Sequence, residues 1–219
     1  VEEELDFAGH PILGAAAVVR QQCTGADTAI VFNLGSRQVS VTCTQQGDAF
    51  HCCMDQGPAD FVHRLEPQCY PQFLEPLNLG QEHVSALYPL QVVSTGLPYL
   101  LVPVTAGLEQ ARIRTANYES QLAQIGAKFA YVFDVNTVEG RTWDNAGGVE
   151  DVATGSAAGP VGAYLYKHGR FAAHEGITLR QGRFVGRDSE IHIRKAPTGN
   201  MLVSGDVRIL VRGSLLYMQ

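Results

Sequence analysis

Two short stretches of small residues, one near the start of the chain and one in its last third, constrain the fold more than any other feature. Residues 12–21 read ILGAAAVVRQ, and residues 156–167 read SAAGPVGAYLYK. Alanine favours helix, and a helix that is apolar on nearly all sides belongs in a core. We therefore predict two buried helices, each of which needs a surrounding layer of other elements.

Short β-rich runs separated by Gly, Ser and Asp turns supply those layers. The predicted strands are 28–33, 38–44, 50–55, 86–93, 99–104, 130–135, 208–211 and 214–218. Residues 107–125 have apolar residues at helical spacing and predict a further helix, whereas residues 64–85 predict a loop with a short helical turn. Strands of this kind are expected to curl around each small-residue helix.

The two halves share one plan. Placing Gly9-His10 over Gly155-Ser156 aligns a glycine-containing loop and its helix with a second loop and helix, which indicates an internal structural duplication. The expected organisation is a first domain over residues 1–96, a second over 97–205 and final strands over 206–219 that can return to the first domain. Because the chain begins at Val1 and runs directly into the first loop, we expect it to start partway into the first domain.

Composition narrows the classes of partner. The chain has 219 residues, of which 45% are hydrophobic and 17% charged, so it can bury one large core or two modest ones. The net charge is −6 and the basic residues are scattered, which argues against a nucleic-acid partner. No apolar run is long enough for a membrane span, and the acidic first residues do not resemble a signal peptide, so the prediction is a cytoplasmic protein without a membrane partner.

The five cysteines predict neither a disulfide framework nor a zinc site. Their number is odd and no Cys-x-x-Cys occurs, so buried or idle thiols are expected. A metal site is imaginable at the cluster His51, Cys52, Cys53, His63 and Cys69. However, its spacing fits no ligand template, and neighbours along a strand point to opposite faces, so we predict no metal.

The two glycine-containing loops are the best candidates for a functional site. Each leads into a helix start, where free N–H groups and the helix dipole favour a carboxylate or another anion. Taken alone, either loop is most simply a plain helix start. Two such starts that face each other, with polar residues in both loops, predict a cleft that binds a small carboxylate.

The loops carry a family resemblance. The segments FAGHP (7–11) followed by LGAA (13–16), and EDVATGSA (150–157), resemble the two signature segments of the phenazine-biosynthesis PhzF-like isomerases. The stretch STGLP (94–98) and residues 128–136 are also similar to that family. The resemblance implies an α+β, diaminopimelate epimerase-like fold with two pseudo-symmetric domains, each a curved sheet around a central helix. It further implies a homodimer and a proton moved between carbon atoms without a cofactor.

Carried over by position, the resemblance makes His10 and Asp151 the catalytic acid–base pair. It makes Gly9, Gly155 and Ser156 the groups that hold the substrate carboxylate. An imidazole and a carboxylate suit proton transfer. The structural alternatives are that His10 caps its helix and that Asp151 fixes a turn. Related epimerases use a cysteine in each loop, but neither loop here contains one, so a two-thiol mechanism is excluded.

Two departures from the family pattern leave a rival reading. The family's main proton shuttle is a glutamate upstream of the first signature, in a stretch that this sequence does not contain, and Glu2, Glu3 and Glu4 do not replace it. Val152 stands where the family usually has proline. The alternative function is therefore a non-catalytic protein with the same fold that binds small carboxylates.

Overall fold

The computed structural model describes residues 7–23, 28–35 and 37–213. The α-helices of these residues are α1 (Gly9–Gln22), α2 (Tyr70–Leu74), α3 (Tyr118–Gln124) and α4 (Gly155–Lys167). The strands are β1 (Thr28–Leu34), β2 (Arg37–Gln46), β3 (Ala49–Asp55), β4 (Asp60–Arg64), β5 (Gln91–Ser94), β6 (Pro98–Val104), β7 (Phe129–Asp134), β8 (Glu139–Arg141), β9 (Ile177–Gln181), β10 (Ser189–Lys195) and β11 (Met201–Arg208). Single 3-10 turns connect several of them.

All these strands join one sheet in the order β1-β2-β3-β11-β10-β9-β8-β7-β6-β5-β4. Neighbours are antiparallel except for β6 with β7 and β8 with β9. Strand β11 pairs with β3 on one side and with β10 on the other, so it connects the two halves of the sheet. A large, mostly antiparallel sheet with few helices is the α+β architecture that the sequence predicts.

The sheet curls around the two small-residue helices. Helix α1 packs on β1, β2, β3 and β11, whereas α4 packs on β5, β6, β10 and β11, and the two helices also contact each other. Side chains alternate along the strands, so that Val39, Val41 and Cys43 of β2 point inward and are fully buried. One hydrophobic core therefore encloses both helices, as the predicted wrapping requires.

A second core lies on the other face of β5, β6 and β7. Leu100 and Val102 of β6 face it together with Tyr118 and Leu122 of α3, while Leu101 of the same strand faces α4. These strands are thus covered on both faces, which explains their nearly continuous apolar sequence.

The predicted all-round burial is confirmed for α4 and wrong for α1. Residues 156–166 of α4 are all buried. In α1 the side chains of Val18 and Val19 are 47% and 39% exposed. The reason is that the strands packed on α1 cover one side of it.

Several predicted elements need correction. Residues 107–125 form a 3-10 turn (Leu108–Gln110) and the short helix α3, because the N–H groups of Arg112 and Arg114 donate to the carbonyls of Leu77 and Pro76 and hold the chain extended between them. The strand predicted at 86–93 is shorter and corresponds to β5. Strand β4 was not predicted. The strand predicted at 208–211 lies earlier in the chain, as β11. The strand at 214–218 falls outside the described residues, and the domain limits stay a prediction.

The expectation of idle thiols is wrong for one pair. Cys43 and Cys52 stand directly opposite each other in the β2–β3 ladder, both pointing into the core, and form a disulfide. Cys23, Cys53 and Cys69 are free. Within the described ranges, no group of three or more His, Cys, Asp and Glu side chains is arranged to hold a metal ion.

Membrane-spanning helices are also absent from the part of the chain that the structure describes, since none of its helices combines the necessary length and apolarity.

Candidate active site

The starts of α1 and α4 meet at two glycines. A Cβ atom placed on Gly9 would lie 2.9 Å from the carbonyl carbon of Gly155 and 3.0 Å from its Cα atom. Only a residue without a side chain allows this approach. The two loops that the sequence aligns with each other are therefore in backbone contact.

Neither helix start is capped by a side chain. The residue before α1 is Ala8, which has no group to cap with, and the residue before α4 is Thr154, whose side chain makes no capping hydrogen bond. The first N–H groups of a helix have no partner within the helix. The positive ends of two helix dipoles therefore lie at this junction. No capping side chain accepts a hydrogen bond from their first N–H groups.

A cavity of about 230 Å³ opens beside the junction. Its lining includes all five residues predicted from the sequence, namely Gly9, His10, Asp151, Gly155 and Ser156. Its other walls are largely apolar and aromatic, formed by Phe7, Ala8, Leu97, Tyr99, Phe129 and Trp143, with Thr142, Asp144 and Thr154 as further polar groups. The structure therefore brings the predicted residues together in one pocket, and their individual roles stay a prediction.

Asp151 is held in a defined orientation. Its N–H donates to the Thr142 carbonyl at 3.0 Å, and its Oδ2 accepts the Thr154 hydroxyl at 2.7 Å. Its Oδ1 accepts only a longer bond, 3.4 Å, from the N–H of Ala153. Threonine is a good capping residue, but the Thr154 hydroxyl donates to Asp151, and the start of α4 is therefore left uncapped.

Ser156 pairs with a buried tyrosine that the sequence reading missed. Its Oγ lies 2.8 Å from the hydroxyl of Tyr99 on β6. Burial raises the pKa of Tyr99, and the nearby Asp151 carboxylate raises it further. The phenol therefore stays protonated at neutral pH and adds a hydroxyl group to the cavity wall.

Two buried glutamines, also missed, hold the loop before α4 from opposite sides. Gln56 and Gln181 are each 1% exposed. Gln56 donates to the Gly155 carbonyl at 2.8 Å, and Gln181 donates to the Asp151 carbonyl at 2.7 Å. The Thr95 hydroxyl in turn donates to Oε1 of Gln56 at 2.7 Å. These bonds tie the residues at the start of α4 to two buried side chains and so help to fix their conformation.

The loop between β8 and α4 forms one side of the cavity. It is fastened by Arg141, whose guanidinium binds both carboxylate oxygens of Glu150, at 3.0 and 2.6 Å. The same guanidinium lies over the rings of Phe184 and Trp143, 4.1 and 5.0 Å from their centres. Trp143 and the adjacent Asp144 are thereby placed in the cavity wall.

The site combines the parts that a proton transfer needs. A carboxylate and an imidazole line one pocket, two helix starts favour an anionic group, and part of the cavity wall is aromatic. No cysteine is among the cavity-lining residues that the structure describes, which agrees with the exclusion of a two-thiol mechanism.

Comparisons with known proteins point the same way. A family model described as phenazine biosynthesis-like protein, PhzC-PhzF, matches residues 1–214. The chain is 30% identical over 224 residues to the uncharacterized isomerase YddE of Salmonella typhimurium, which covers 94% of this chain and 74% of that protein. It is 27% identical over 210 residues to the trans-2,3-dihydro-3-hydroxyanthranilate isomerase of Pseudomonas aeruginosa, covering 93% of this chain and 71% of that protein.

Solved structures confirm the predicted fold. A predicted epimerase from Pseudomonas aeruginosa superposes with a TM-score of 0.93 at 45% identity, covering 99% of this chain and 77% of that one. A PhzF-family phenazine biosynthesis protein from Bacillus anthracis gives a TM-score of 0.71 at 17% identity, covering 95% and 77%. A probable proline racemase from Agrobacterium radiobacter gives 0.60 at 13% identity, covering 96% and 68%. Because the last two identities are low, these two structures show only the fold, which is the epimerase-like α+β fold.

Proposed function

The chain belongs to the phenazine biosynthesis-like family and is an isomerase, and from that premise we propose that it moves a proton between carbon atoms of a small carboxylate-bearing metabolite without a cofactor. In this proposal Asp151 and His10 are the acid–base groups. The substrate carboxylate binds at the junction of Gly9, Gly155 and Ser156.

The observation that carries the proposal is the meeting of two uncapped helix starts beside an aspartate and a histidine in one cavity. The helix starts attract and orient an anion, so that the carbon atoms next to it come close to the two titratable side chains. One group removes a proton from carbon while the other returns one to a neighbouring position. The apolar walls keep bulk water away from the intermediate.

The direct test is uptake of solvent deuterium by a substrate. The first compound to try is trans-2,3-dihydro-3-hydroxyanthranilate, the compound that a relative's name gives, followed by a panel of small amino and hydroxy acids. We expect Asp151→Asn and His10→Ala to lower the exchange rate at least ~100-fold, because positioned acid–base groups contribute that much or more. Mass spectrometry in D₂O measures the exchange.

Matched controls are His174→Ala and Asp60→Asn, which make the same chemical changes at exposed positions outside the cavity. They are expected to exchange at the wild-type rate. Full exchange in both site variants contradicts the assignment of His10 and Asp151. Saturable carboxylate binding by the wild type without exchange of any compound favours the non-catalytic alternative instead.

We also propose that the protein works as a homodimer, as the family resemblance implies. Sedimentation velocity across a hundredfold range of concentration tests this, and a constant monomer mass contradicts it.

A further inference from the structure

The orientation of the buried Gln181 amide is fixed by the Thr154 N–H, which can only donate, and by the Asp151 carbonyl, which can only accept. Its Oε1 lies 3.2 Å from the backbone nitrogen of Thr154, which can only donate. The hydroxyl of Tyr131 also donates to Oε1, at 2.8 Å. Burial raises the pKa of Tyr131 well above its usual value, so this hydroxyl keeps its proton. Oε1 is therefore the carbonyl oxygen, and the other terminal atom is the NH₂ group.

The NH₂ group then determines the direction of the next hydrogen bond. Its two hydrogens go to the Asp151 carbonyl at 2.7 Å and to Oγ1 of Thr154 at 2.8 Å. Because Thr154 already accepts at Oγ1, its single hydroxyl hydrogen is available for Oδ2 of Asp151, 2.7 Å away. The three side chains form one network in which every donor meets an acceptor.

We propose that Gln181 and Thr154 are positioning residues that fix the orientation of the Asp151 carboxylate and leave its Oδ1 as the oxygen that takes the proton. Oδ2 already accepts the hydroxyl hydrogen of Thr154. Oδ1 has only its long contact with the N–H of Ala153. This inference rests on the proposed function, because that function makes Asp151 a group that takes up a proton. The hydrogen-bond geometry itself does not depend on the substrate.

Other titratable groups lie close enough to confuse a rate measurement. His10 of α1, Tyr99 of β6 and Asp144 line the same cavity, and Tyr131 of β7 lies behind it. A change in the acidic limb of a pH–rate profile could therefore come from more than one group. The test has to read the carboxylate of Asp151 itself.

The experiment is ¹³C NMR at neutral pH of protein labelled at aspartate carboxyl carbons, with the Asp151 signal assigned as the one lost in Asp151→Asn. Thr154→Val keeps the shape of the side chain and removes the hydroxyl. We expect the Asp151 carboxyl chemical shift to change, since a hydrogen bond to a charged group is lost. Thr154→Ser restores the donor and is expected to return the chemical shift to the wild-type value.

Two further variants sharpen the result. Gln181→Glu replaces the NH₂ donor with an acceptor, so the Thr154 hydroxyl turns away from Asp151 and the Asp151 chemical shift changes again. Thr178→Val makes the valine substitution elsewhere on β9, where the hydroxyl faces His192 and not the site, and is expected to leave the chemical shift unchanged. If Thr154→Val does not fold, Thr154→Ala removes the same hydroxyl with a smaller side chain.

A wild-type Asp151 chemical shift in the folded hydroxyl-free variants overturns the inference, as does a change that Thr154→Ser fails to reverse. The proposed function fails in a different way, namely when Asp151→Asn keeps full isotope exchange although the chemical-shift changes occur. The two failures are therefore distinguishable.

Discussion

Gly9 and Gly155 are the residues that set how closely the two helix starts approach. Gly9→Ala places a methyl group 2.9 Å from the Gly155 carbonyl carbon, a distance that forces the backbones apart. We expect a loss of about 1–3 kcal/mol in the free energy of unfolding, the usual cost of overpacking, together with weaker binding of small carboxylates. Urea unfolding and calorimetric titration measure the two effects.

Gly14→Ala is the matched control, because a Cβ atom there meets no other atom within 4 Å. Alanine is a better helix former than glycine, so this variant should gain about 0.5–1 kcal/mol. Equal behaviour of the two variants would mean that the close approach of the helix starts is not required.

At the scale of single residues, the sequence predicted part of the cavity lining. That His10, Asp151 and Ser156 line one cavity could be predicted because they sit in recognisable loops next to helix starts, whereas their roles stay a prediction. Gln56 and Gln181 were missed although a signal was present: each continues the inward-facing alternation of its strand, after Cys52 and Met54 or after Ile177 and Leu179. A glutamine at such a position is rarely buried without a specific role. Tyr99 carried no such signal, since a tyrosine fits any core.

Among the elements, the loop between β8 and α4 depends most on one interaction. The Arg141 and Glu150 side chains are only 9% and 7% exposed, and Arg141 also donates to the carbonyls of Leu108 and Glu109 at 2.9 and 3.0 Å. Arg141→Met leaves the Glu150 carboxylate buried without its partner. We expect a loss of about 3–5 kcal/mol in stability and a lower isomerisation rate, because Trp143 and Asp144 shift.

Thermal unfolding and a rate assay check this, with Arg180→Met as control. Arg180 pairs with Glu190 at 3.4 Å, but both side chains are more than half exposed, so its loss should not change the melting temperature measurably. A similar effect of both substitutions would contradict the role assigned to Arg141.

Elements with strong local signals were the predictable ones. Helices α1 and α4 and strands β1, β2, β3, β6 and β7 were expected within a few residues of where they lie. The helix predicted over 107–125 shows the limit of local reasoning. Its apolar residues have helical spacing, yet backbone bonds to Pro76 and Leu77, which are distant in sequence, keep its middle extended. A pattern of side chains does not report bonds of that kind.

Over the whole molecule, buried tyrosines make stability sensitive to alkaline pH. Burial raises the pKa of Tyr99, Tyr118, Tyr131 and Tyr164 in the folded state. Their contribution is fully present below the unfolded-state pKa of about 10 and is lost as pH rises through the higher folded-state values. We expect the free energy of unfolding to fall steeply above pH ~10.

Absorbance at 295 nm, which reports phenolate, and circular dichroism should therefore change together in an alkaline titration. The four buried tyrosines are expected to ionise only as the fold is lost. Smooth ionisation of every tyrosine with an intact circular dichroism spectrum would contradict the burial.

Strand β11 has a consequence for how the protein is made. It lies between β3 and β10, and its Asp206 pairs with His51, 155 residues earlier in the chain. At about 5–20 residues per second, the ribosome needs roughly 8–30 s to deliver the partner of β3. During that interval one edge of β3 is open to other nascent chains. We therefore expect newly made chains to need chaperone protection until β11 emerges.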